Sequence, residues 1–138
     1  MNLTKELAAW AGNEMDATHA PSHVEKAQHA IIDGIAVALA GASVPVSLLL
    51  RDFLGIEESP SSDARALIGG GRAPDGGAAA KLNAVAMHSL DFDDISHPAY
   101  AHVTTVMLPA LLTVGCPAAT GEDIVSAYLI GLEVSNRL

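Results

Sequence analysis

A single cysteine, Cys116, in 138 residues excludes an intramolecular disulfide. Its apolar neighbours mark it as a small buried hydrophobe, and a reduced, cytoplasmic compartment is the simplest expectation. Basic residues are scarce as well. Seven Lys and Arg, scattered from Lys5 to Arg137, face sixteen Asp and Glu and leave a net charge of −9. No cationic patch is available to meet a phosphate backbone, so nucleic acid is excluded as a partner. Aromatics number only five. The apolar half of the chain is therefore mostly Ala, Val and Leu, and such small side chains let helices approach closely. The N-terminal MNLTKELAAW lacks the charged-then-apolar order of a signal peptide.

Two stretches lack charge altogether, between Asp94 and Glu122 and between Gly34 and Leu50. Either is long enough to raise the question of a membrane span. The first, however, carries His97, Pro98, His102, Thr104, Thr105, Pro109 and Pro117, and the second carries Pro45 and two serines. Both read as helices buried in a protein core or a subunit contact, and no membrane is expected.

What remains is helical throughout, and one all-α domain of about six helices is expected. LTKELAAWAGNEM places Leu3, Leu7, Ala8 and Ala11 at helical spacing, with Thr4 near its start. PSHVEKAQHAIIDGIAVALAGAS opens at Pro21-Ser22 and closes at Gly41; Val24, Ala27, Ile31, Ile35, Ala38 and Leu39 form its stripe, and Gly34 is its weak point. VSLLLRDFLG reads as a short helix ended by Gly55, followed by the hydrophilic IEESPSSDA. GGGRAPDGG has neither the Gly-Lys-Ser/Thr ending of a phosphate loop nor dinucleotide-fingerprint spacing, and reads as a turn capping the helix after Pro74. That helix, AAAKLNAVAMHSLDF, offers Ala80, Ala84, Met87 and Leu90 as apolar positions. Pro98 makes ISHPAYA a loop, and a helix containing Pro109 starts near His102 or Val103. GEDIVSAYLIGLEVSNRL starts with acidic residues at the positive end of the helix dipole. Its stripe is Ile124, Ala127, Tyr128, Gly131, Leu132 and Leu138. Because Leu138 lies on that stripe with no polar tail beyond it, the chain is expected to be part of a longer one.

The chemistry-bearing residues concentrate in HSLDFDDISHPAYAH, residues 88–102. Asp91 and Asp94 stand three apart and share a face if the helix persists, with His88 one turn earlier and Asp93 pointing elsewhere. Paired carboxylates in a dry site raise at least one pKa, and His97 and His102 add side chains suited to proton transfer near neutrality. No nucleophile is evident, because Ser89 and Ser96 lack a distinguishing context. Carboxylate and imidazole are also metal ligands, but their spacing matches no zinc or calcium pattern, and no metal is expected. A purely structural corner, with aspartates capping amides and histidines satisfying carbonyls, stays open beside acid–base chemistry. His19, His23 and His29 read as structural.

HSLDFDDISHPAYAH followed by VMLPALLTVG resembles the signature of the MmgE/PrpD family. AIIDGIAVALAG, ALIGGGRAPDGGAAAKLNAVAMHSLDFDD and GEDIVSAYLIGLEVSNRL are similar to further family segments in the same order. The resemblance implies a large helical domain joined to a smaller α/β lid, of which this chain matches only the N-terminal helical part. It also implies homodimers formed through helices, no cofactor, and action on small polycarboxylates. Members dehydrate 2-methylcitrate, decarboxylate cis-aconitate or epimerise iminodisuccinate. The expected function is dehydration of a 2-methylcitrate-like acid by proton abstraction next to a carboxylate. Decarboxylation, epimerisation and a non-catalytic dimerisation or binding module are the alternatives, with a metal-dependent hydrolase behind them.

Carried over by position, Asp91 and His102 are the expected catalytic residues, and Asn83, Asp94 and His97 the expected substrate-binding ones. Two departures stand out: Ile95 replaces the family's threonine, and Ala84-Val85 replaces its Gly-Thr. A polyanion beside Asp91, Asp93 and Asp94 also needs cations. Lys81 and Arg72 are the nearest in sequence, so the 138 residues alone are expected to be a poor catalyst.

Overall fold

The computed structural model describes residues 2–15, 17–56, 63–115 and 118–137. Cys116, Leu138 and most of the hydrophilic loop fall outside them, so the readings made on those residues do too. Six helices form: α1 (Leu3–Glu14), α2 (Pro21–Gly41), α3 (Pro45–Phe53), α4 (Gly76–His88), α5 (Val103–Val114) and α6 (Gly121–Arg137). A small antiparallel hairpin of β1 (Arg65–Ala66) and β2 (Arg72–Ala73) adds the one element that the helical reading lacked.

The helix ends follow local chemistry. Asn2, rather than Thr4, caps α1 by accepting from the Lys5 N–H, and Asp75 caps α4 by accepting from the Ala78 N–H at 2.8 Å. Pro21 and Pro45 stand at the first positions of α2 and α3, where a missing N–H costs nothing. The glycine cluster is the hairpin turn. Gly69, Gly70 and Gly71 all have positive φ, and a Cβ on Gly69 would stand 2.4 Å from that of Ala42.

Helix α4 sits at the centre, packed on α2 and α5 and touched also by α3 and the hairpin, with α6 against α5 and α2. Small residues set that geometry. The buried face of α2 is Ala27, Gly34, Val37, Ala38 and Gly41, whereas Leu39, expected on the stripe, is exposed. Gly34 is a point of close approach rather than a weak point: a Cβ there would meet Thr104 Cγ2 at 3.0 Å and Met87 Sδ at 3.3 Å. At Gly41 the fit is tighter still, with Ala86 O only 2.0 Å from where a Cβ would lie. Two apolar clusters result, Ala38–Ala86–Met87–Leu108 between the long helices and Leu67–Ala73–Ala79–Leu82 under the hairpin. Met87 and Leu108 are fully buried, each worth about 2 kcal/mol of transfer free energy.

Among the described residues no single helix is long and apolar enough to cross a membrane. Helices α2 and α3 reach that length and composition only together, and they meet at 81°.

Candidate functional site

Helix α4 does not persist to the aspartates. It ends at His88; the Ser89 N–H closes on Val85 O, and the Asp91 N–H turns back to His88 O at 2.9 Å. Asp91 then adopts φ 54°, the left-handed region that aspartate tolerates better than most residues. The shared helical face expected for Asp91 and Asp94 is therefore absent, and Asp93, expected to point elsewhere, lies at the centre of the cluster.

The Asp93 side chain is 1% exposed and has three side chains around it, two of which bond to it. The Thr105 hydroxyl donates to Oδ2, His88 Nδ1 approaches both oxygens at 3.0 and 3.1 Å, and His102 Nδ1 lies 3.2 Å from Oδ2. Burial pushes the carboxyl up. The bonds from Thr105 and His88, its own backbone amide and the charge of His102 outweigh that effect and hold it below the ordinary carboxylate range. The His102 ring is not turned to make a good bond to Asp93: among the described residues, its buried Nδ1 has no hydrogen-bonding partner despite the short separation. Its Nε2 points outward, 3.9 Å from Oδ1 of Asp91, whose side chain is 82% exposed. His88 and His102 pack ring on ring at 4.7 Å.

Asp94 turns the other way. Its Oδ2 accepts from the Thr104 hydroxyl at 2.6 Å, and Thr104 Oγ1 also meets the Tyr128 hydroxyl. Thr104 has one proton and gives it to Asp94, so Tyr128 is the donor to Thr104. Burial pushes the Tyr128 phenol up, outweighing the lowering by the Thr104 hydrogen bond, and the Asp94 charge adds a little in the same direction as burial. Asp94 Oδ1 is buried without a partner among the described residues, and Asp94 is one of the residues lining a cavity of about 750 Å³. Trp10, His19, Lys26, Ile95 and Arg137 share its lining, and none of His88, Asp91, Asp93 and His102 does.

The structure thus brings Asp91 and His102 together and leaves three expected site residues apart from them. His97 is exposed in the loop that the Ser96–Ala101 bridge pinches off. Asn83 is buried, and its Oδ1 accepts from the Ile68 N–H at 2.8 Å, which ties α4 to the hairpin. Asp94 faces the cavity. The cations nearest in sequence are not those that the fold supplies: Arg72 donates to Ala64 O, whereas Lys26 and Arg137 reach the Asp94 side. Asp93, His88, Thr104, Thr105 and Tyr128 were not singled out as site residues. One signal was available for two of them: an adjacent Thr-Thr pair, immediately after His102, answers the adjacent Asp-Asp pair hydroxyl for carboxylate.

Residues 5–138 match the family profile of the MmgE/PrpD N-terminal domain. The chain is 32% identical over 143 aligned positions to the cis-aconitate decarboxylase of Aspergillus terreus, which covers 99% of this chain and 29% of that protein. It is 30% identical over 146 positions to a cis-aconitate decarboxylase-like protein of Aspergillus oryzae, covering 99% and 30%. The human cis-aconitate decarboxylase is 42% identical over 65 residues, 44% of this chain and 13% of that protein. The chain therefore spans about 30% of the length of the relatives it matches end to end. No solved structure matches it significantly.

Proposed function

Because the chain belongs to the MmgE/PrpD family, we propose that it supplies proton-transfer groups to a lyase acting on a small polycarboxylate. The observation that carries this reading is one imidazole held between two carboxylates: His102 has Nδ1 3.2 Å from buried Asp93 and Nε2 3.9 Å from exposed Asp91. Ionised Asp93 stabilises the imidazolium that forms when Nε2 takes a proton. Asp91, on the outer side of the ring, passes that proton on or returns it.

The same group serves either lyase reaction. In decarboxylation the C–CO2 bond breaks, its electron pair stays on carbon, and protonated His102 delivers a proton to the substrate. In dehydration neutral His102 takes a proton from the carbon next to a carboxylate, and the electron pair forms the C=C bond as the C–O bond breaks. The leaving hydroxyl takes up that proton from His102 or by way of Asp91 and departs as water. The names of the relatives favour decarboxylation of a cis-aconitate-like acid; dehydration of a 2-methylcitrate-like acid, the reaction expected from the family resemblance, is the second reading. A polyanion also requires cations at the site, since Asp91, Asp93 and Asp94 repel it.

The test is to assay the gene product at its natural length for CO2 release from cis-aconitate and for water loss from 2-methylcitrate. Asp91→Asn and His102→Ala are each expected to lower kcat/KM by about 100-fold or more. Near-normal turnover in both variants would sink the assignment. A non-catalytic module that pairs through its helices is the competing reading. Ile32, Leu49 and Phe53, 64%, 69% and 82% exposed, support such association with a second copy. Light scattering that finds only monomer would remove it.

A further inference from the structure

His88, Asp91, Asp93 and His102 each place one ligand-type atom within 4.8 Å of the other three. From this convergence we propose that the cluster is a binding site for a divalent transition ion of the zinc class, and that such an ion switches the site off. No linear spacing announces it, because the left-handed turn at Asp91 and the start of α5 bring the donors together from three separate places.

The donor set selects the ion. Two imidazole nitrogens with one or two carboxylate oxygens suit zinc, at bonds of roughly 2.0–2.2 Å, whereas calcium and magnesium take oxygen ligands. Two nitrogens already lie on one side of Asp93: His88 Nδ1 and His102 Nδ1 are 3.0 and 3.2 Å from the same Oδ2. Moving them apart to share an ion requires only small side-chain shifts. Both rings have room to make them, His88 being 52% and His102 31% exposed. Asp91, almost free in solvent, can swing in as the fourth ligand.

Two independent features point to a ligand. His102 Nδ1 is buried and lacks a hydrogen bond among the described residues, so its lone pair or its proton is unanswered. An ion between the rings would answer it. Asp93 is in turn held by the Thr105 hydroxyl, the kind of outer contact that orients a ligating carboxylate.

The consequence for activity rests on the reading proposed above. A neutral imidazole that binds zinc through Nδ1 carries its one proton on Nε2, with no proton lost overall. The Nε2 lone pair that would accept a proton from substrate is then absent. Occupancy by the ion and proton abstraction by His102 are mutually exclusive.

The test is zinc titrated into the protein in competition with a chromophoric chelator, with ¹⁵N spectra of the histidine rings recorded alongside. One equivalent is expected to bind, with the Nδ1 resonances of His88 and His102 moving to metal-bound positions. Affinity should fall about tenfold in Thr105→Val and further in His88→Gln, a variant at a half-exposed position that leaves the core intact. His23→Gln, on the cavity side, should bind as wild type does, and calcium should not compete. Absence of binding, equal affinity in wild type and His88→Gln, or loss of the equivalent in His23→Gln would each overturn the site. The binding arms need no substrate, so they stand apart from the lyase assignment. If zinc binds at these rings and turnover continues, the site is kept and it is His102 as the proton acceptor that falls.

Discussion

The hairpin side of α4 and its C-terminal end hold their polar groups in opposite ways. On the hairpin side Asn83, in the second half of the helix, accepts from the Ile68 amide, Arg51 of α3 donates to Gly70 O, and Asp75 accepts from the Ala78 amide. Each side chain there answers a backbone group. At the C-terminal end Asp93 is answered by Thr105 and His88, with His102 Nδ1 beside it, and Asp94 by Thr104 and, through it, Tyr128. Side chain answers side chain, and several of them can gain or lose a proton. A backbone amide does not titrate, so the first arrangement fixes the chain and nothing more. The second arrangement can exchange protons with whatever approaches the exposed edge of His102. Chemistry is therefore assigned to the C-terminal end, although both loops are polar and glycine or aspartate rich.

The sharpest way to break this contrast is Asp93→Ala. It leaves the buried Thr105 hydroxyl and two imidazoles facing a void, and about 3 kcal/mol of stability should go with it. Urea unfolding should show that loss, and turnover should fall with it. Asn83→Ala is next. It strands the half-buried Ile68 N–H and empties the space of the buried Asn83 amide, which should cost about 2 kcal/mol, yet the ring resonances of His88 and His102 should stay where they are. A movement of those resonances would mean that the two regions are coupled and that the division made here is wrong. Thr104→Val tests the second carboxylate. It removes one link of the Tyr128–Thr104–Asp94 chain while keeping its volume, at about 1 kcal/mol. The Asp93 side should be unaffected, because Thr105 rather than Thr104 serves it.

How much of this could be read beforehand differs between elements for physical reasons. Six helices were legible because hydrophobic period and helix-end residues agree over α2 and α6, where Pro21 and the acidic start at Glu122-Asp123 mark the beginnings. Which face is buried was less so. In α2 the packing surface is Gly34, Val37, Ala38 and Gly41, and close approach of helices rewards the absence of a side chain, which a stripe of large apolar residues does not predict. Leu39 was misplaced for that reason. At the site, extrapolating α4 through Phe92 assigned Asp91 and Asp94 to one face. The chain leaves the helix at His88 and turns with positive φ at Asp91, and Asp93 rather than Asp94 comes to lie in the cluster with Asp91. His102 was reachable from the signature because it begins a helix whose register Pro109 and Leu108 fix. Tyr128 was not reachable at all: it comes from α6, 24 residues beyond Thr104, and only tertiary packing brings them together.

A third carboxylate turns the contrast into a test by pH. Asp123, at the start of α6, accepts from the Thr120 amide at 2.7 Å and the Thr120 hydroxyl at 2.8 Å, while its own N–H returns to Thr120 Oγ1. This reciprocal cap belongs with the backbone-answering group. The Thr120 amide first, then its hydroxyl, holds the carboxyl below its ordinary value. The unfolded chain therefore takes up a proton more readily than the folded one. The cap contributes fully above the ordinary carboxylate pKa, and its contribution declines as pH falls through that value toward the folded one. Asp123→Asn keeps an acceptor oxygen but cannot titrate, so the Tm difference between wild type and variant should shrink from pH 6 to pH 3. This is the smallest of the expected effects, because the group is fully exposed. It is also the cleanest, for the His88 and His102 rings should not register it. If they did, a carboxylate bound only to backbone and hydroxyl would be reaching the site, and proton exchange could no longer be assigned to one end of α4.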